Sequence, residues 1–300
     1  MKKSIVLLIT LALLVAISAL IAIGVSLSQN ASKDIERKQT LIQTATFVQN
    51  IADILARKSG EINSTDGLEM LILMPIELDS DELSLKVSFD SAAKGINPNN
   101  FVKREHNKTI FNPEYILLFD RILQSANVQS KELFLALIED TLDEDLQERI
   151  PGSEMALYNK RFAQGSIENY KKFRMLIDRY VALTEDPNIY TIPWKKILDF
   201  HADAIDFNYI APELLHYIVP YLDSETIRRI TVDKKMSFGG WEDLRLPKEE
   251  KEELKKFHIL FYVPIVKGEL EFTQGDSKSF ATFIYDIKKK KVLDIGYKFD

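Results

Sequence analysis

The densest group of chemically active side chains in this 300-residue chain is Asp140-Thr-Leu-Asp143-Glu144-Asp145, followed by Gly152-Ser153-Glu154. Carboxylates at this spacing near a helix end, with another a short loop away, can supply the oxygen ligands that a hard cation such as calcium requires. The alternative is a solvated acidic helix terminus. Acids at a helix C-terminus oppose the macrodipole, so a bare surface cluster would be left without compensation. The spacing lacks the Gly and terminal Glu of an EF-hand loop. The four histidines, His106, His201, His216 and His258, are scattered without zinc spacing and read as surface or partly buried side chains. No G-x-S-x-G, phosphate-binding glycine loop or dinucleotide fingerprint occurs. The chain has no cysteine, which excludes disulfides, thiolate metal sites and cysteine nucleophiles together. Its net charge of −6 argues against a nucleic-acid partner. One catalytic reading stays open on residues alone: a single-pass periplasmic metal-dependent hydrolase using the Asp140 to Glu154 carboxylates.

Those carboxylates must be positioned by a chain that opens on a membrane signal. Ile5 to Ser28 is apolar and uncharged, and at about 1.5 Å per residue it reaches about 36 Å, enough for a bilayer core of about 30 Å. Lys2 and Lys3 precede it, so the N-terminus is expected in the cytoplasm and the rest of the chain across the membrane. A cleaved signal peptide ending near Ser26 to Ser28 is the competing expectation, but such peptides carry shorter apolar regions. Leu41, Ala45, Val48, Ile51 or Ala52, and Leu55 then recur at helical spacing, and no Pro or Gly interrupts from Ser26 to Ser59. The expectation is one long helix over 1–60, transmembrane over 5–28 and amphipathic over 29–57.

Leu68 to Met74 is a continuous apolar run and reads as a strand. Leu83, Leu85, Val87 and Phe89 alternate with Ser84, Lys86 and Ser88 as a second, with Asp79-Ser80-Asp81 as the turn between them. From residue 96 the pattern turns helical, with candidate helices at 113–124, 130–142, 166–183, 194–200, 212–219 and 223–230. The segment Pro220 to Ile230 lacks the glycines of a phosphate-contacting hairpin and reads as a structural helical hairpin despite Arg228 and Arg229. Strands return at 257–263, 280–287 and 292–297, with Lys288 to Lys291 as a solvated hairpin turn. The fold class is α+β. A helical domain over 96–246 is inserted into an α/β domain made of 61–95 and 247–300, whose two parts share one sheet.

Several motifs in this order resemble one family, the K-type minor pseudopilins of bacterial type II secretion systems. Gly95-Ile-Asn-Pro-Asn-Asn100 resembles the family's I-N-x-N stretch, and Asp140-Thr-Leu-Asp-Glu-Asp145 its D-W-I-D-x-D motif. Gly152-Ser-Glu154 and Tyr158 stand for the following G-A-E and tyrosine. Ile205-Asp-Phe-Asn208 resembles a second I-N-x-N, and Phe238 with Glu242-Asp243-Leu244 resembles F-x-S-x-x-E-L. Thr141 stands where the family has tryptophan, Asp206 where it has asparagine, and Ser4 where a prepilin peptidase ordinarily finds glycine.

The resemblance implies a pseudopilin α/β domain interrupted by a large all-α domain, in a non-enzymatic assembly protein of the inner membrane whose bulk is periplasmic. It implies a tip or initiation complex with I-type and J-type minor pseudopilins, contacts with other inner-membrane components of the system, and processing between Ser4 and Ile5 by prepilin peptidase. It also implies calcium held by Asp140, Asp143, Asp145 and Glu154. After such processing Ile9 would occupy the place of the glutamate of ordinary pilins, which suits a tip better than a shaft. A minor pilin of a type IV pilus or competence system is the neighbouring alternative.

Overall fold

The computed structural model describes residues 38–299 other than 80–82, 106–107, 144, 235 and 275–276. The expected transmembrane segment Ile5 to Ser28 and the Ser4 and Ile5 processing site lie outside the described residues. So do positions 29–37 of the amphipathic stretch. Among the described residues no helix is long and apolar enough to cross a membrane.

Helix α1 (described over 38–58) buries Thr40, Thr44, Val48, Ile51, Ala52 and Leu55, a stripe at spacings of three and four. Its first two members are threonines rather than the expected Leu41 and Ala45, and Leu41 stays 36% exposed. A hydroxyl contact selects this face. Thr44 Oγ1 lies 2.7 Å from Ser279 Oγ and donates to the Thr40 carbonyl at 2.7 Å, so small polar side chains satisfy one another where the helix meets the sheet.

The run 68–74, read above as a strand, is instead helix α2 (Thr65–Leu73). An apolar run of that length fits either element, and the cap decides: the Ser64 hydroxyl accepts from the Gly67 N–H at 3.2 Å. The chain then forms edge strand β1 (Ile76–Asp79) and β2 (Leu83–Ser91). In β2, Leu85, Val87 and Phe89 face α1 as the alternation requires.

The sheet now breaks off for 173 residues between Ser91 and Ile265 (265 − 91 − 1). The interruption holds a hairpin, β3 (Val102–Glu105) and β4 (Lys108–Phe111), then α3 (Pro113–Ser125), α4 (Lys131–Leu142), α5 (Met155–Tyr158), α6 (Tyr170–Thr184) and α7 (Trp194–Ile197). After β5 (Ile205–Asp206) come α8 (Pro212–Ile218), α9 (Ser224–Thr231) and α10 (Lys248–Lys255), then β6 (Ile259–Leu260), which pairs in parallel with β5. The aromatic residues Phe101, Phe119, Phe134, Phe173 and Trp194 pack at its centre, mostly edge to face, with ring centroids from 4.5 to 5.9 Å apart. The helical block extends past 246 to about Pro264. Leu254 of α10, Phe257 and Ile259 are buried in the same core. Of the strand expected over 257–263, only Ile259–Leu260 pairs.

The sheet resumes with β7 (Ile265–Gln274), β8 (Ser277–Asp286) and β9 (Lys291–Phe299), in the order β1-β2-β7-β8-β9 with every pair antiparallel. Both sides of the insertion therefore build one sheet. Sequence reading missed β7 because its inward positions are Val266, Gly268, Leu270 and Phe272, and the glycine breaks the alternation. The Phe283 ring fills the space where a Gly268 side chain would stand. Residues 287–290 form the tight turn between β8 and β9, as the lysine run suggested.

Two matched turns fasten the insertion. Ile96 bridges Leu198 in parallel, and the Asn97 side chain caps the 3-10 turn Pro98–Phe101 through the Asn99 N–H at 3.0 Å. The Asn99 amide then accepts from Ile167 N–H at 2.7 Å and donates to Ile167 C=O at 2.9 Å. At the second motif, Asp206 caps the turn Phe207–Tyr209, and the Asn208 amide accepts from Phe238 N–H at 2.7 Å and donates to its carbonyl at 2.9 Å. Gly95, beside the first turn, has no room for a side chain. A Cβ there would lie 2.6 Å from the Leu198 carbonyl carbon and 2.7 Å from the Ile197 oxygen, both main-chain atoms. Gly95→Ala is expected to cost about 1–3 kcal/mol through overpacking. Thermal and denaturant unfolding would measure it, and a silent substitution would contradict the close approach.

Candidate functional site

Helix α4 ends inside the acidic motif, and its last turn buries Asp140 completely and Asp143 almost completely. The chain turns back through Gly152, whose φ of +95° suits glycine, and brings buried Ser153 and Glu154 against the same helix end. Glu154 caps α5, its Oε1 accepting from the Ala156 N–H at 3.0 Å. The structure thus gathers Asp140, Asp143 and Glu154 and adds Glu139, which sequence reading had not singled out.

Arg149 sits at their centre. Its guanidinium donates to Asp140 Oδ1 and Asp143 Oδ2, and its Nε lies 3.2 Å from Glu139 Oε2. Its own N–H donates to Asp140 Oδ2 at 3.1 Å, where the Ser153 hydroxyl also donates. The guanidinium covers the Phe111 ring at 4.7 Å from the centroid. One cation shared by three acids, with Glu154 beyond its reach, leaves a deficit. Asp143 Oδ1 and Glu154 Oε2 are buried without a hydrogen-bond partner. Burial pushes the carboxyls of Glu139, Asp143 and Glu154 above the usual range, and the charge of Asp140 adds to the push on each.

Asp145 departs from this group. It is exposed, and its Oδ1 accepts from the Gln147 N–H at 2.8 Å, although its charge still raises Asp143. Glu144 lies outside the described residues. Among the described residues no cluster of three or more His, Cys, Asp and Glu side chains is arranged to enclose a metal ion. The donor chemistry nonetheless fits a hard cation, because two buried carboxylate oxygens lack a positive or donating partner. The signal for Arg149 was present in the sequence: from Glu139 to Glu154 it is the single basic residue among seven acids.

The histidines share no site. His258 Nδ1 lies 3.2 Å from the Asp203 carbonyl, His201 is 3.7 Å from Asp294, and His216 packs beside Tyr217, while His106 lies outside the described residues. The hairpin of α8 and α9 is held by Asp223, which caps α9 at the Thr226 N–H at 2.8 Å, and Arg228 pairs with Asp233 at 2.8 Å.

Two outcomes follow from the cluster. Removing the central cation, Arg149→Met, strands buried carboxylates and is expected to cost about 3–5 kcal/mol at neutral pH, measured by denaturant unfolding. The raised carboxyls mean that the folded state binds more protons than the unfolded state, so their contribution improves as pH falls through the folded values. Compared with an Asp143→Asn, Glu154→Gln double variant, the natural chain in chelator should gain melting temperature as pH falls from neutral toward the ordinary carboxylate range. An equal pH dependence of the two proteins would contradict the burial of these charges.

No protein-family model matches the sequence, and no curated protein matches it. Among solved structures, the chain is similar to a chain of the GspK-GspI-GspJ complex from the type 2 secretion system of enterotoxigenic Escherichia coli. The match has a TM-score of 0.55 at 11% identity and covers 87% of this chain and 98% of the other. At that identity the likeness is one of fold, and over nearly the whole of both molecules the fold is that of a chain from this secretion-system complex.

Proposed function

We propose that the protein is the K-type minor pseudopilin of a type II secretion system, a non-enzymatic subunit that starts or tips a periplasmic pseudopilus. One observation carries the reading: a helix-backed antiparallel sheet interrupted between β2 and β7 by an all-helical block, a layout that aligns with 98% of a chain from a GspK-GspI-GspJ complex. In this reading the apolar stretch Ile5 to Ser28 holds the chain in the inner membrane, and α1 continues it into the periplasmic domain. The helical block adds bulk to one end of a filament while the helix-backed sheet keeps the form that neighbouring subunits pack against. I-type and J-type minor pseudopilins are the partners.

Calcium belongs to the same reading. Asp140, Asp143 and Glu154 would hold it, with Asp145 at the rim. The ion, when bound, supplies positive charge to the carboxylate oxygens that Arg149 leaves unpartnered. Its role is structural, fixing the end of α4 to the loop that carries Glu154. The metal-dependent hydrolase gains no support. Four open cavities among the described residues, of about 490 to 820 Å³, are lined by side chains other than these acids.

Calcium at about a hundredfold its dissociation constant should raise the melting temperature by roughly 5–10 °C, and Asp140→Asn, Asp143→Asn, Glu154→Gln together should abolish the rise. An unchanged rise in that triple variant would remove these residues from the site. For the assembly role, the full chain is co-expressed with I-type and J-type subunits and recovered by a tag on one of them. A ternary complex is expected. Failure to form any complex, with calcium or without it, overturns the proposal.

A further inference from the structure

Arg149 reaches the acidic helix end from the solvent side. Its side chain keeps 32% exposure while that of Asp140, which it holds, has none. A single nitrogen, Nη1, donates to both Asp140 Oδ1 and Asp143 Oδ2. A guanidinium more often meets one carboxylate with two nitrogens in a planar fork, so Nη1 here does the work of a point cation between two carboxylates. Two oxygens stay beyond its reach. Asp143 Oδ1 and Glu154 Oε2 have no hydrogen-bond partner, and Glu154 is wholly buried. Calcium takes carboxylate oxygens at about 2.3–2.6 Å, so an ion on Asp140 Oδ1 and Asp143 Oδ2 would stand where Nη1 stands. Arg149 and the ion exclude one another there.

We infer that Arg149 is a built-in competitor for the calcium site. It neutralises Asp140 and Asp143 when the ion is absent and releases them when the ion binds, so it sets the calcium concentration at which the site fills. The inference rests on the calcium reading above. Arg149 has a place to withdraw to: Glu139 Oε2 lies 3.2 Å from its Nε, and the Phe111 ring centroid lies 4.7 Å from its guanidinium carbon. Neither contact uses the two aspartates, so the guanidinium can keep both while the released oxygens join Asp143 Oδ1 and Glu154 Oε2 around a divalent charge. The exchange gives Arg149 opposite effects on folding and on binding. It stabilises the ion-free state, and whatever stabilises only that state weakens the ligand that must displace it.

The full-length natural chain and Arg149→Gln, both stripped with chelator, are titrated with calcium chloride in a calorimeter. The variant should bind calcium about tenfold more tightly, because no charge-assisted hydrogen bonds to the two aspartates need be broken first. Its melting temperature in chelator should fall below that of the natural chain. A residue that merely braced the loop would lower affinity and stability together. In the unmodified chain, phenylglyoxal labelling of Arg149, read by mass spectrometry, should rise when calcium is added, a readout independent of any variant's folding. Should the variant unfold in chelator, this labelling decides alone. Equal or weaker binding by a folded variant, or unchanged labelling of the natural chain at saturating calcium, overturns the competition and leaves the calcium reading standing. Binding by the variant alone supports the competition, with Arg149 holding the site against the ion. Binding by neither protein overturns the competition and the calcium reading together.

Discussion

The β2–β7 pairing is the constraint on which the rest of the molecule depends. Nine consecutive residue pairs, Leu83 with Gln274 through Ser91 with Val266, join strands separated by the whole helical block. The block must therefore leave and return at neighbouring points, and small side chains make that possible. Ala92, Ala93, Ala202 and Ala204 pack with Val263 and Ile265 at the crossing, where main-chain bonds run from Ala92 N–H to Ile265 C=O at 3.0 Å and from Asp206 N–H to Ala93 C=O at 2.8 Å. Two buried carboxylates seal it. Asp206 accepts from Val263 N–H at 2.9 Å and Asp199 from Gly95 N–H at 2.6 Å, and burial pushes both up to about 6. A crossing sealed in this way separates two hydrophobic cores, one under α1 and one inside the helical block.

That separation lets each core pack independently of the other. It also explains how much was legible. The alternation in β2, the helices from Pro113 to Thr231 other than the single turn of α5, and the lysine turn before β9 were readable because each is fixed by local periodicity, caps or turn chemistry. The stretch from Thr65 to Leu73 was not, because a short apolar run leaves the choice to Ser64 as a cap. Strand β7 was hidden by Gly268, whose empty side-chain space belongs to Phe283 from the next strand, a long-range fact absent from the local pattern. α10 was hidden by its highly charged sequence, with Leu254 its one buried residue.

The candidate site shows the same division. Carboxylate types and spacing announced a charge-dense helix end, and the structure brings Asp140, Asp143 and Glu154 together there. What spacing could not show was the neutralising group. Arg149 spans Glu139, Asp140 and Asp143, yet two carboxylate oxygens remain unsatisfied. An unpaired buried charge of this kind costs more than a paired one returns. The position of Asp145 outside the buried group is a second effect of folding: the chain leaves the helix after Asp143 and carries the third aspartate toward solvent.

In the proposed function, a transmembrane helix, a sheet closed across an insertion and a helical block would together place a bulky domain at the end of an assembly of similar anchored subunits. The mature N-terminus of the chain purified from membranes, read by mass spectrometry, tests that claim most directly. A species that begins at Ile5 with a methylated amine and stays in the membrane fraction is the predicted result. A chain beginning near Gln29 and released from the membrane would contradict the account.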